Sequence, residues 1–168
     1  MPVETTLEKR VAMLERLRRS VISVNVGGLV VAFPPVALVP LGTTAFNLDP
    51  EQFVHVNTAG NYYVEVKRPC TLRVSARLDT ARTAGALDDQ LFMTSESYDP
   101  GTRIWTVQET FWTLSKVVFA INLSSFVADY YFQAPVRDMR WRLRIDSGGG
   151  AHTTIAGCHM ELERIWPI

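Results

Sequence analysis

Residues 53–80 read FVHVNTAGNYYVEVKRPCTLRVSARLDT. The stretch divides into a strand, a tight turn at Ala59-Gly60-Asn61, a second strand, a turn at Arg68-Pro69 and a third strand. In the third strand Leu72, Val74, Ala76 and Leu78 alternate with Thr71, Arg73, Ser75 and Arg77. Period-two alternation is the mark of a strand with one buried and one wet face, because successive side chains leave a pleated backbone on opposite sides. Tyr62, Val64, Val66, Leu72, Val74 and Leu78 are therefore expected in a core or along a trimer axis.

The same signal recurs further along. Strands are expected near 91–97 and 103–114, joined by the turn Tyr98-Asp99-Pro100-Gly101. A change of phase between Val107 and Trp112 predicts a bulge. Val117–Leu123 and Ala128–Phe132 read as strands around a Ser124-Ser125 turn, and residues 80–90, TARTAGALDDQ, as an exposed loop. From Met139, the residues Met139, Trp141, Leu143 and Ile145 share one face, and Arg140, Arg142 and Arg144 the other. After a turn at 147–150, Ala156, Cys158, Met160 and Leu162 alternate with Gly157, His159, Glu161 and Glu163. If these two strands are neighbours, the arginines face Glu161 and Glu163, and such cross-strand pairs each contribute up to about 1 kcal/mol.

Upstream, residues 21–41 form a nearly unbroken apolar run behind Arg16, Arg18 and Arg19. A membrane span is argued against by Pro34-Pro35, Pro40, Gly27-Gly28 and the β-branched content. Two core strands, near 21–26 and 29–33, fit better, followed by an extended edge segment.

Residues 1–20 carry the one helical pattern. Thr5 or Thr6 can cap it, and Leu7, Val11, Leu14 and Val21 follow coiled-coil spacing, widened by Leu17. Two heptads are too short to hold an isolated coiled coil. The helix either packs on its own domain or zips with copies already held together by the β domain.

The chain has 168 residues, 47% of them apolar and 20% charged, which fits one globular domain. The formal net charge is zero, so no global field draws nucleic acid or an anionic membrane. Arginine outnumbers lysine 14 to 3, which suits ordered interfaces, since guanidinium forks onto carboxylates and stacks on aromatics. Cys70 and Cys158 read as reduced core thiols. The expectation is an all-β chain: an antiparallel jelly-roll β-sandwich of about eight to ten strands over 21–168, with one N-terminal α-helix over 1–20.

No catalytic signature is present: no nucleophile elbow, zinc-protease helix, phosphate loop or dinucleotide fingerprint. His55, His152 and His159 supply no evident metal triad, although His152 and His159 could meet across a hairpin. Asp88-Asp89 lacks the remaining oxygens of a calcium loop. The chain is expected to be no enzyme and to need no cofactor or metal. Arg140, Arg142 and Arg144 with Glu161 and Glu163 form the candidate docking or intersubunit face, against the plainer reading of a solvated sheet face. Leu7, Val11, Leu14, Leu17 and Val21 are the candidate oligomerisation residues.

Val56–Val66, VNTAGNYYVEV, with Leu72–Leu78 and the terminal strand carrying Gly157, resembles the jelly-roll superfamily that includes tumour-necrosis-factor and complement-C1q head domains. The helix LEKRVAMLERLRRS ahead of such a head also looks like small phage virion proteins, namely head decoration proteins, head fibres and tail-fibre modules. That resemblance implies homotrimers without chemistry. The expected role is a structural protein located in the virion, partnered by itself and by other virion proteins, with no nucleic acid and no membrane. The alternative is a receptor- or carbohydrate-binding head, for which aromatics such as Tyr98, Trp105 or Trp112 would have to line a groove.

Overall fold

The computed structural model describes residues 19–26, 30–31, 37–58, 60–84, 88–116, 123–147, 151–154 and 158–167. Their strands are β1 (Ser20–Val26), β2 (Val30–Val31), β3 (Ala37–Leu38), β4 (Leu41–Asn47), β5 (Phe53–Thr58), β6 (Asn61–Val66), β7 (Cys70–Ala84), β8 (Asp88–Asp99), β9 (Ile104–Lys116), β10 (Leu123–Ala134), β11 (Met139–Ser147), β12 (Ala151–Thr154) and β13 (His159–Pro167).

They form two antiparallel sheets. In the first the order is β10–β7–β13–β1–β4. The short strands β12 and β2 continue the β13 and β1 rows alongside the far half of β7. In the second the order is β5–β6–β11–β8–β9, and β3 takes over from β6 along β11. Each sheet is thus five rows wide, and the chain weaves between them as a jelly roll. The expected eight to ten strands correspond to these rows; β2 falls within the strand expected near 29–33, while β3 and β12 are short continuations that no alternation reveals.

The 53–80 stretch behaves as its pattern demands. Leu72, Val74, Ala76 and Leu78 of β7 are buried, as are Val64 and Val66 of β6. They meet Met139, Trp141, Leu143 and Ile145 of β11, with Ile22, Val24, Met160 and Leu162 of the neighbouring strands β1 and β13 in the same cluster. Tyr62 packs against this cluster partly buried. The six residues named above as core or trimer-axis candidates therefore lie between the sheets. Trp141 joins the layers, its ring edge-on to Phe132 of β10 at 5.0 Å. Each such large side chain contributes about 1.5–3 kcal/mol by leaving water.

Several expectations are corrected, and others fall outside the described residues. Residues 1–18, with Leu7, Val11, Leu14 and Leu17, lie outside the described residues. Val21 does not belong to a helical seam: it pairs with Glu163 inside β1 and is fully buried. Ser20–Val24 is buried at every position, as for a strand covered on both faces, so the apolar run there is sheet. The exposed loop expected over 80–90 is narrower, since β7 runs to Ala84 and β8 starts at Asp88. Ser124-Ser125 is no turn; it lies in β10 opposite Thr80 and Asp79. In both places a ladder partner along the whole of β7 overrides local turn preference. The turns at Gly27-Gly28 and 148–150 and residues 117–122 lie outside the described residues.

The bulge on β9 is present. Glu109 faces Ser95 and Val107 faces Glu96, so Gln108 is the extra residue. Its side chain donates to Ser97 Oγ at 2.8 Å. The cysteines are free and buried. Cys70 opens β7, whereas Cys158 Sγ donates to the Asp79 carbonyl at 3.3 Å. Nine residue steps along the strand from Cys70 to Asp79 span about 30 Å, beyond the reach of a disulfide.

Candidate functional site

The alternation of β11 sends Arg140, Arg142 and Arg144 to the outer face of the second sheet, opposite Tyr98, Glu96 and Thr94 of β8. Arg142 Nε donates to Glu96 Oε2 at 2.6 Å, and an Arg144 terminal nitrogen lies 3.0 Å from Glu96 Oε1. Glu96 is only 3% exposed, so two guanidinium groups compensate one buried carboxylate. Arg140 Nε donates to Glu65 Oε2 at 3.3 Å. Lys67 contacts Glu65 and lies 3.1 Å from Asp138, and its hydrogen bonds to these carboxylates raise its pKa.

Aromatic rings fill the remaining space. The Arg140 guanidinium lies 4.9 Å from the Tyr63 ring centroid and 5.0 Å from that of Tyr98. Arg142 lies 3.8 Å from the Trp105 ring, which is itself 5.2 Å from Tyr98. Guanidinium groups over ring faces are attracted by the ring quadrupole. The result is a self-paired layer of arginine, carboxylate and aromatic side chains.

Glu161 and Glu163 are elsewhere. β13 pairs with β1 and β7 in the first sheet, so the two glutamates share no surface with the arginine strand. Their basic partner is Arg19, at 3.8 Å from Glu161 and 2.9 Å from Glu163. The five residues expected to form one docking face thus occupy two outer surfaces. In a sandwich, strands that follow one another in sequence commonly enter different sheets, and β11 is followed by a crossing to the first.

The outer face of the first sheet is differently built. Its cross-strand rows run Val127–Arg77–His159–Asn25, Asp129–Ser75–Glu161–Ser23 and Tyr131–Arg73–Glu163–Val21. Val127 is 67% exposed, Tyr131 69% and Trp166 69%. Phe46 and Leu48 add exposed apolar surface at and just beyond β4. The charges among them are paired within the chain. Arg73 forks onto Asp129 with bonds of 2.8 and 2.7 Å, which holds the Asp129 carboxyl below its usual range. Arg77 Nε donates to Asp79 at 2.8 Å. Ser75 is small, and over it lies a shallow open depression of about 300 Å³ framed by Arg77, Val127, Asp129 and His159.

Sequence reading missed Glu65, Glu96, Tyr63, Tyr131 and Trp166. Glu65 and Tyr63 could have been found as the outward positions of β6, and Tyr131 as that of β10, by extending the alternation used elsewhere.

Among the described residues no three His, Cys, Asp or Glu side chains gather to hold a metal ion. β12 and β13 run end to end along β7, opposite Arg82 and Arg77, so His152 and His159 do not oppose each other as a hairpin pair. His55 bridges the sheets at one margin, within 2.9 Å of Thr44 Oγ1 and 3.2 Å of the Leu41 carbonyl. No helix among the described residues is long and apolar enough to cross a membrane.

No family model matches the sequence, and no curated protein is similar to it. Solved structures are similar in fold. Murine APRIL at pH 5.0 superposes with a TM-score of 0.64 at 9% identity, covering 88% of this chain and 99% of that one. Murine APRIL at pH 8.5 gives 0.62 at 7% identity, with the same coverage. Eiger TNF from S. frugiperda gives 0.60 at 12% identity, covering 90% of this chain and 95% of the other. At such identities the likeness establishes the tumour-necrosis-factor-like jelly-roll fold and nothing further.

Proposed function

We propose that the chain is a non-enzymatic, self-associating head domain that forms a homotrimer and serves as a structural component of a virus particle, a capsid decoration, head-fibre or tail module that binds other virion proteins. The observation that carries self-association is the outer face of the first sheet. Exposed Val127, Tyr131 and Trp166 stand among charges that already have partners within the chain, so covering the face strands no ion. Aromatic anchors with few unpaired charges are the composition of an interface centre. The trimer and the particle follow from the resemblance of the N-terminal pattern and head to phage virion proteins.

The genes flanking the coding region test the particle assignment. Capsid, portal or tail genes on either side support it; neighbours of unrelated metabolism would overturn it.

The carbohydrate-binding alternative needs open aromatic platforms. Tyr98 and Trp105 do lie together, with Tyr63 6.4 Å from Trp105. Arg140 and Arg142 occupy their ring faces, which disfavours sugar stacking there. A glycan array that returned binders sensitive to Trp105→Ala would restore that reading.

A further inference from the structure

The two sheets are joined at the β4–β5 margin by three side chains. Asn47 Nδ2 donates to the Phe53 carbonyl at 2.9 Å, and Asn57 Nδ2 donates to the Gly42 carbonyl. Between them is His55, whose Nε2 lies 3.2 Å from the Leu41 carbonyl and whose Nδ1 lies 2.9 Å from Thr44 Oγ1. A carbonyl only accepts, so Nε2 carries the proton, and Nδ1 accepts from the threonine hydroxyl. The neutral ring is thereby satisfied on both sides.

We propose that His55 is a proton-operated latch that holds β4 against the second sheet when neutral and releases it when charged. A proton taken up at Nδ1 turns an acceptor into a donor facing the Thr44 hydroxyl, which must then reverse its own role. The resulting cation is half buried, and among the described residues of the strands packed against it no carboxylate meets it. β4 and β1 hold no ionisable side chain, and β5 holds none besides His55. On β6, Val64 stands opposite His55; Tyr62 shares its inward-facing side, while Tyr63 and Glu65 occupy the other side. Burial depresses the His55 pKa below its ordinary value, with the Leu41 hydrogen bond opposing in part.

The sign follows directly. A group that resists protonation when folded loses stability as pH falls, because the open form takes the proton first. β4 is the margin of the first sheet and has β1 as its only ladder partner among the described strands, so opening begins there. The exposed Phe46 on β4 then moves with it.

Amide hydrogen exchange of the full chain at about pH 7.5 and about pH 5.5, corrected for intrinsic rates, reads the latch. Protection of Thr43–Phe46 is expected to fall several-fold at the lower pH while β7 and β11 hold theirs. In His55→Gln, a neutral donor, the difference is expected to vanish. Equal protection at both values, or the same loss in His55→Gln, would overturn the proposal. An NMR titration of the His55 ring in the unaltered protein decides the matter even if the variant fails to fold: a midpoint below that of free histidine supports the latch, and one at or above it refutes it.

Discussion

Glu96 is the residue on which the second sheet's outer face depends. Arg142 and Arg144 both converge on its carboxylate, and it is nearly fully buried. Removing one partner of a buried ionic group leaves the others uncompensated. Glu96→Ala is therefore expected to cost about 3 kcal/mol in urea unfolding; a loss under about 0.5 kcal/mol would mean that the group is solvated. Leu72 tests the core instead. It is fully buried in the middle of the sandwich, and Leu72→Ala should cost about 2–5 kcal/mol by the same measurement. Burial pushes the Cys70 thiol up to about 11, and Cys158 is buried as well. Neither is expected to react with a thiol reagent at about pH 8 until the chain is unfolded. Rapid labelling of the native protein would contradict the placement of both.

At the scale of elements, legibility followed burial asymmetry. β6, β7 and β11 were readable because one face of each meets the core and the other meets polar surroundings. The Gln108 bulge was readable because it breaks that phase within a long aromatic strand. The far half of β7 was not, since Thr80–Ala84 owes its extended form to ladder partners in β10 and β12 and not to its own pattern. Ser124-Ser125 misled for the same reason. The pairing of Arg140, Arg142 and Arg144 was misread because residue types fix which side of a strand is wet, but not which strand lies alongside. Glu65 and Glu96, both non-local, are their partners. Val21 continued a helical spacing by coincidence while being committed to β1. The strand therefore begins at Ser20. A chain starting at Arg19 is expected to keep its β-sheet circular dichroism and cooperative unfolding while associating more weakly. Loss of folding would show that residues 1–18 complete the core.

For the whole molecule, the two outer faces divide the work. One is a layer of arginines, carboxylates and rings paired mostly with each other, although Arg144 Nε and Thr94 Oγ1 have no hydrogen-bond partner among the described residues. The other leaves Val127, Tyr131 and Trp166 open to solvent beside charges that are already paired. We propose that copies of the same chain cover this second face. The native mass by light scattering at micromolar concentration tests this most directly. Three times the chain mass of 18.9 kDa is expected, falling to one chain in Tyr131→Glu with the circular dichroism unchanged. A stable single chain in the unaltered protein would contradict it.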